Sequence, residues 1–513
     1  MTILSQQGWS ESQLASVSLA ILSVTQFLDF LNLSALNIAI PTIAEELKIP
    51  AGLEGWILIS YSLALSAFML PFGKLGDAWG HRNIFICGLL IMTIANIFSA
   101  MAPTLPVLAT FRGLQGLGAA ATMPNASAII ARIFPAGAPR NAAFAKLGAA
   151  SAIGSAAGLI VGGLFSGIIG WRYVFYVLAP ICLLVMVLSL LFLPAAQDDE
   201  TVDKGLKDFD ISGTLTWLVG MSLIVYVLST TKGAAWKEVQ TMVLLGIGVA
   251  SFSSFFFVER KAARPLIPPY LWQNHVIVVN SILIAMVRGG ASMFVYLMSL
   301  KLQRILLLSP WETALQSLPM AIVGFFYSFF VGTIVKRLGF SVPVILGFGM
   351  AAFGSAYFSF SLHGPDENGN NASSFWTSTF PSSVVFVLGT PMVFISAQLA
   401  MLHVVEPRQY AVVGALFNTA GQIGGPVALA LLTAIMNAVL VNKERSGWSE
   451  KERLLASYDA GNWTIVGWEL VGLVIAGLFW LRQKFIEEKR HLSVDVESDE
   501  GERQRLLGDT SNP

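Results

Sequence analysis

The sequence predicts an all-α membrane protein whose helices cross a lipid bilayer many times. Of its 513 residues, 55% are hydrophobic and only 12% are charged, whereas about a quarter of the residues of a soluble domain are charged. The apolar residues are grouped into segments about as long as a bilayer is thick. Since no water inside the bilayer can satisfy backbone groups, we expect every segment to be a helix.

Fourteen apolar segments are long enough to span a membrane. We predict two six-helix halves, residues 16–194 and 276–483, and a linker, residues 195–275, that carries two extra helices. Residues 1–15 are predicted to be a cytosolic N-terminal tail, and residues 484–513 a disordered cytosolic tail. The predicted spans are residues 16–40, 56–73, 84–102, 105–131, 143–168, 172–194, 211–230, 241–258, 276–300, 313–335, 341–361, 379–404, 410–440 and 463–482.

Basic residues in the short loops orient these spans. Lysine and arginine are more frequent on one side, for example at Arg82, Arg140 and Arg337, and such loops face the cytoplasm. Both termini are therefore predicted to be cytoplasmic. The sequon at Asn371 then falls in an outer loop, where we predict a glycan.

A polar stretch, Gly73–Arg82 with the sequence GKLGDAWGHR, separates the second and third predicted spans. We expect it to be an interhelical loop in which an aspartate caps the next helix. A copy without the aspartate, Gly332–Gly339, follows the second span of the second half, which indicates an internal repeat. The stretch resembles the signature loop of the major facilitator superfamily. The resemblance implies a conformational gate formed by Gly73, Gly76, Asp77, Gly80 and Arg82.

Asp29 lies near the middle of the first span. A charge at that depth costs roughly 3 kcal/mol on insertion scales, so we expect a functional role, with a helix-packing hydrogen bond as the alternative. Asn32 and Asn37 on the same helix are predicted to bind substrate or to join helices. The surrounding run resembles the first-span signature of fourteen-span drug:proton antiporters. The matching residues are Leu28, Asp29, Asn37, Ala39 and Pro41.

Arg112 begins a run, RGLQGLGAA, that resembles the fourth-span motif of the superfamily. Arginine stays protonated in proteins, so its use is as a fixed cation that tunes a nearby carboxylate. We predict that Asp29 binds the coupling proton, that Arg112 modulates this binding, and that Gln115 faces a substrate cavity. The alternative for Arg112 is snorkelling to the outer interface.

The stretch Gly154–Gly163 resembles the fifth-span motif of the antiporters. Its glycines predict close helix packing. Leu159 stands where the family has proline, so a carrier that imports its solute stays an alternative. The residues assigned to antiporter-like helix packing are Gly154, Gly158, Gly162 and Gly163.

Four polar residues in the second half are further candidates. Arg288 lies in mid-span and is predicted to contact an anion or substrate, to pair with Asp29, or to bind backbone carbonyls as a structural cation. Asn418 and Gln422, one turn apart, are predicted to face the substrate cavity. Glu469 in the last span is expected to snorkel toward the outer interface.

The C-terminal tail contains a motif of the kind found in sorting signals. Glu502, Leu506 and Leu507 resemble an acidic dileucine sorting signal, which adaptors read. We therefore predict a sorting adaptor as a partner and a vacuolar or endosomal membrane, with the plasma membrane as the alternative.

Enzymatic activity is not expected. The chain lacks a Walker loop, a hydrolase elbow and zinc-ligand spacing, so we predict neither a cofactor nor a metal. Its formal net charge is zero, which gives no indication of a nucleic-acid partner.

These resemblances imply a major facilitator fold with fourteen spans, and they are strongest to fungal carriers linked to aminotriazole or borate export and to low-affinity ammonium transport. They imply a monomer that exports small drug-like, toxic or inorganic solutes by proton antiport with alternating access. Two alternatives stay open. One is a proton-coupled or uniport importer, and the other is a transport-inactive receptor or scaffold.

Overall fold

The computed structural model describes residues 10–50, 53–135, 137–194, 211–230, 238–261, 269–361, 375–406, 409–445 and 448–508. Across these residues the chain is built from α-helices joined by short connections. A π-helical turn, Phe375–Thr379, leads into the helix that starts at Phe380. The helices are α1 Glu11–Glu46, α2 Trp56–Trp79, α3 His81–Ala100, α4 Leu105–Ile133, α5 Ala138–Ile168, α6 Arg172–Phe192, α7 Ile211–Thr230, α8 Val239–Lys261, α9 Pro269–Gln273, α10 His275–Arg304, α11 Pro310–Leu338, α12 Ser341–Ser361, α13 Phe380–His403, α14 Tyr410–Arg445 and α15 Glu450–Gly508.

Within the described residues, 12 helices are long and apolar enough to cross a membrane. The fold class is thereby confirmed. α4 is not among them, although its 29 residues would reach across a bilayer. In α7 the apolar part, Ser212–Leu228, is shorter than a span. The count of fourteen spans therefore stays a prediction.

Side-chain caps determine where several helices begin. Ser10 and Gln13 form a capping box at the start of α1, and Ser309 and Glu312 form another at α11. At α10, Asn274 accepts a hydrogen bond from the backbone of the second helical residue. Each cap satisfies backbone N–H groups that a helix start leaves unpaired.

Packing groups the helices in two sets. α1 lies along α5, and α2 and α3 lie against α4, while α10 packs on α14 and α12 packs on α13 and α15. A large apolar cluster contains residues of both sets, including Leu36, Ile57, Met293 and Leu429. α7 and α8 pack mainly on each other. The division into halves and a linker at the boundaries given above stays a prediction.

The segment Gly73–Arg82 differs from the predicted loop. α2 continues to Trp79 and α3 starts at His81, so Gly80 alone separates them. Its φ of 91° lies in the left-handed region, which favours glycine. Asp77 therefore lies inside α2 and does not cap α3. In the predicted repeat, α11 likewise ends at a glycine of positive φ, Gly339 at 75°.

The last helix also differs from its predicted span. α15 begins at Glu450, before the predicted limit, and continues to Gly508. It passes through residues that the sequence predicts to be a disordered tail, so the tail boundary at residue 484 stays a prediction.

Candidate functional site

Asp29 is buried between α1 and α4, with 1% of its surface exposed. Its Oδ2 accepts a hydrogen bond from Thr122 Oγ1 at 3.0 Å. Its Oδ1 is buried and has no hydrogen-bond partner within the described residues. If this carboxyl were ionised, no positively charged group bonded to it among the described residues would offset its charge in the apolar surroundings.

Arg112 is fully buried and is held by α1, by α2 and by a residue of its own helix, α4. Its Nε donates to the Ile57 carbonyl of α2 at 3.1 Å. Its Nη1 donates to Asn32 Oδ1 of α1 at 2.8 Å and to Gln115 Oε1 at 2.6 Å. The guanidinium lies 4.5 Å from the ring centre of Tyr61. Snorkelling of Arg112 to the outer interface is therefore wrong, because none of its surface is exposed.

Asn32 and Gln115 belong to the same polar network. Asn32 Nδ2 donates to Gln115 Oε1 at 3.3 Å. Gln115 Nε2 donates to Asn96 Oδ1 at 3.2 Å and Ser99 Oγ at 2.9 Å, both on α3. Both predicted cavity residues are thus enclosed among four helices in this conformation. Sequence reasoning did not identify the two α3 partners.

Asp29 and Arg112 do not bond to each other directly. Arg112 bonds to Asn32, which lies about one helical turn from Asp29 on α1. Any influence of the guanidinium on the carboxyl therefore acts through space or through α1.

The predicted gate residues make contacts within the first half. Asp77 pairs with His81 across 3.4 Å, and Arg82 Nη2 donates to the Leu190 carbonyl of α6 at 2.6 Å. Asp77 and Arg82 therefore have different partners. A Cβ on Gly76 would lie 1.8 Å from Asn125 Oδ1, and one on Gly73 would meet Pro124 at 3.7 Å. The α2 end is consequently pressed closely against α4.

The glycines of α5 bring it into backbone contact with α1. A Cβ on Gly154, Gly158 or Gly162 would lie 2.4, 2.5 or 2.1 Å from a carbonyl oxygen of α1. Gly163 faces α11 instead, where a Cβ would lie 2.4 Å from the Ala314 Cβ. The spacing of small residues thus determines how closely α1, which carries Asp29, approaches α5.

The second-half candidates lie around α10 and α14. The Arg288 guanidinium lies 6.0 Å from the ring of Phe30 in α1 and 5.8 Å from that of Phe394 in α13. Gln422 Nε2 lies 3.9 Å from Met123 Sδ of α4. The structure therefore places these two candidates between the two halves.

The two remaining cavity candidates bond within their own helices. Asn418 is exposed and donates to the Gly414 carbonyl at 3.0 Å. Asn37 is half-buried and donates to the Leu33 carbonyl at 3.2 Å. Neither bond tests whether the side chain contacts substrate, so the predicted cavity roles of Asn418 and Asn37 stay predictions.

Glu469 is a buried acid that sequence reasoning placed at an interface. It is 0% exposed, so snorkelling is wrong. Both carboxyl oxygens lack a hydrogen-bond partner within the described chain. A Cβ on Gly290 of α10 would lie 1.7 Å from Glu469 Oε1. The acid therefore fills a space that this glycine leaves open.

The predicted outer end carries a second feature that sequence reasoning missed. Glu54, in the turn before α2, binds the guanidinium of Arg304 at the end of α10. Gln303 Nε2 donates to the Ile38 carbonyl of α1 at 2.9 Å. These contacts join the two halves at the predicted outer end.

Other predicted sites fall beyond what the structure describes. Asn371 lies outside the described residues. The backbone of Glu502, Leu506 and Leu507 belongs to α15, but their side chains are not among those described. Within the described residues, no group of three or more His, Cys, Asp or Glu side chains could hold a metal.

Comparison with known proteins agrees with this architecture. The family model for the Major Facilitator Superfamily matches residues 22–429. Over 422 residues the chain is 31% identical to the Major facilitator superfamily multidrug transporter mfsC of Aspergillus fumigatus, covering 82% of this chain and 79% of that protein. It is 29% identical over 418 residues to the Puromycin resistance protein pur8 of Streptomyces alboniger, covering 81% of each.

A solved structure shares the fold at low identity. The crystal structure of the POT family transporter PepTSo superposes with a TM-score of 0.63 at 16% identity, covering 91% of this chain and 98% of that one. The chain is therefore a multi-pass integral membrane protein that belongs to the Major Facilitator Superfamily, whose members are transporters and not enzymes.

Proposed function

We propose that this transporter exports small drug-like, toxic or inorganic solutes by proton antiport, and that Asp29 binds the coupling proton. The observation that carries the proposal is the Asp29 carboxyl, which is buried with one oxygen bonded to Thr122 and the other unpartnered within the described residues. A carboxyl in this setting is stable only when neutral or when water reaches it. Proton binding would thus depend on which side is open.

Arg112 supports this assignment by its position. It is a fixed positive charge bonded to the residue one turn from Asp29, and a nearby cation favours the ionised form of an acid. A conformational change that moves α1 relative to α4 would alter the distance between the Arg112 guanidinium and the Asp29 carboxyl. Proton affinity would then differ between states, as coupling requires.

Alternating access would use the contacts at the two ends of the bundle. Glu54 and Arg304 join the halves at the predicted outer end, while Asp77 and Arg82 bond within the first half. We propose that this arrangement is the conformation closed to the outside. In the opposite state, the Gly73–Arg82 segment would contact the second half.

The names of the relatives support export as the direction. One is named a multidrug transporter and another a puromycin resistance protein. We propose that this chain belongs with the fourteen-span drug:proton antiporters and acts as a monomer. Delivery to a vacuolar or endosomal membrane by an adaptor, and a glycan at Asn371, are parts of the same proposal.

The test uses purified protein in liposomes that contain a pH-sensitive dye. Puromycin, naphthalene sulfonamide and naphthalene sulfonate are supplied on one side as basic, neutral and acidic probes.

The wild type should move protons against at least one probe. Asp29→Asn should abolish the proton movement and keep exchange of labelled probe, because the amide cannot ionise. Glu11→Gln, an exposed acid on the same helix, is the matched control. Proton movement by Asp29→Asn at the wild-type rate would refute the assignment, and absence of coupled flux for all probes would refute antiport.

A further inference from the structure

Arg288 lies where it cannot reach water at either end of its helix. It is in the middle of α10, between His275 and Arg304, and about 20 Å separates it from the first residue at a rise of about 1.5 Å per residue. A charged residue at such a depth costs roughly 3 kcal/mol on insertion scales. Its retention calls for a compensating partner or for a cavity that water or a solute can enter.

No such partner is found in the described part of the chain. The contacts around the guanidinium are two aromatic rings, Phe30 from the first half and Phe394 from the second. Asp29, which precedes Phe30 in the sequence, accepts a hydrogen bond from Thr122 on α4 instead. Glu469 lies against Gly290, two residues along α10 and so on another side of the helix. A pair between Arg288 and Asp29 is thus not formed in this conformation.

Two other arginines of the helix bundle differ from Arg288. Arg304 is paired with Glu54, and Arg112 donates three hydrogen bonds. Arg288 is also partly accessible, since it is half-buried. Its donors are therefore available to a group that enters between the two halves.

The surroundings of Arg288 indicate what such a group would be attached to. One aromatic ring from each half lies near the guanidinium. Gln422, next to Gly421 on α14, places its Nε2 3.9 Å from Met123 Sδ. A Cβ on Gly421 would lie at an ordinary contact distance, 3.5 Å, from Arg288 Cγ, so α14 passes directly beside the arginine. Aromatic and thioether side chains favour a flat apolar body. A guanidinium favours a planar or tetrahedral oxyanion.

We propose that Arg288 is the anion-binding residue of the substrate cavity, and that the exported solutes carry an acidic group on an aromatic body. The inference rests on the proposed export function and narrows its substrates. The acidic group accepts hydrogen bonds from the guanidinium, and the aromatic body lies between Phe30 and Phe394.

A matched pair of probes tests this proposal. Naphthalene sulfonate and naphthalene sulfonamide have the same ring, and only the sulfonate carries a charge. Binding to the purified full-length protein is measured by thermal shift and by tryptophan fluorescence. The wild type should bind the sulfonate about tenfold more tightly or better, the gain expected of a charged hydrogen bond.

Arg288→Gln should reduce sulfonate affinity by about tenfold or more and leave sulfonamide affinity within about twofold. Arg288→Lys, which keeps the charge, should preserve the preference in part. Arg337→Gln removes an exposed positive charge at the end of α11 and should change neither affinity. If Arg288→Gln does not fold, the wild-type preference and the lysine variant decide the matter.

Equal affinity of the wild type for both probes would overturn the proposal, as would an unchanged sulfonate preference in Arg288→Gln. These outcomes are distinct from failure of the export function. A protein that transports the basic or neutral probe but not the sulfonate would refute the substrate class and leave proton-coupled export in place.

Discussion

Glu54 and Arg304 form a two-point ion pair between the halves of the molecule. Arg304 Nη2 donates to Glu54 Oε2 at 2.5 Å, and Nη1 donates to Oε1 at 3.0 Å. Arg304 Nη1 also donates to the Tyr458 hydroxyl at 3.2 Å. Glu54 is 2% exposed, so solvent screens this pair much less than a surface pair. Its two-point geometry is rigid, which suits a contact that must form and break as a unit.

Loss of this pair should open the predicted outer end. Glu54→Gln leaves the guanidinium without its charged partner, and breaking one side of a buried pair is strongly unfavourable. We expect a cysteine placed at Asn37 of α1, next to Ile38, whose carbonyl accepts a hydrogen bond from Gln303, to react faster with a membrane-impermeant maleimide added from outside. A rise of about tenfold corresponds to a loss of about 1.4 kcal/mol in closure. The background for this measurement is Cys87→Ser, because Cys87 is exposed and Cys182 is buried.

Glu46 offers the matched control for this experiment. It lies at the same end but bonds to Trp171 and Arg172, both of the first half. Glu46→Gln should therefore leave the labelling rate near that of the background. Equal acceleration in both variants would mean general loosening, and no acceleration in Glu54→Gln would contradict a role in closure.

Gly158 should tolerate no side chain. A Cβ there would lie 2.5 Å from the Leu31 carbonyl and 2.8 Å from the Ser34 Cβ, so α5 would have to move away from α1. Overpacking of this kind typically costs about 1–3 kcal/mol, and we expect Gly158→Ala to lower the melting temperature in detergent. Gly148, on the same helix, has no neighbouring atom within 4 Å of its would-be Cβ. Gly148→Ala should leave the melting temperature unchanged or raise it, and a loss as large as that of Gly158→Ala would remove the packing argument.

The sequence predicted those parts of the site that interrupt an apolar run. Asp29 and Arg112 are recognisable because ionisable residues are costly inside spans, and the structure buries both. Glycines at helical spacing predicted the close contact of α5, and the contact with α1 lies along this face. In each case the signal is local, so a single segment carries it.

Features that depend on distant partners could not be predicted. Glu54 and Arg304 are 250 residues apart, and each alone has the character of an ordinary loop charge. Asn96 and Ser99 complete the network around Gln115, but such polar residues are frequent in spans without a role. The Gly73–Arg82 segment was predicted as a loop from its glycines and charges. Packing against α4 overrides that local preference and keeps the segment helical.

Glu469 provides the last prediction, because its carboxyl is buried at 0% exposure and neither oxygen has a partner among the described residues. An ionised carboxylate there would be uncompensated, so the group is expected to be neutral. Glu469→Gln, which has nearly the same shape and no charge, should keep the wild-type melting temperature and yield in detergent. Glu469→Lys places a longer cation against Gly290 and should prevent stable folding. Lys451, exposed near the start of the same helix, supplies the control Lys451→Glu, which should be tolerated. Instability of Glu469→Gln as severe as that of Glu469→Lys would show that the carboxylate charge itself is needed, and the neutral assignment would fall.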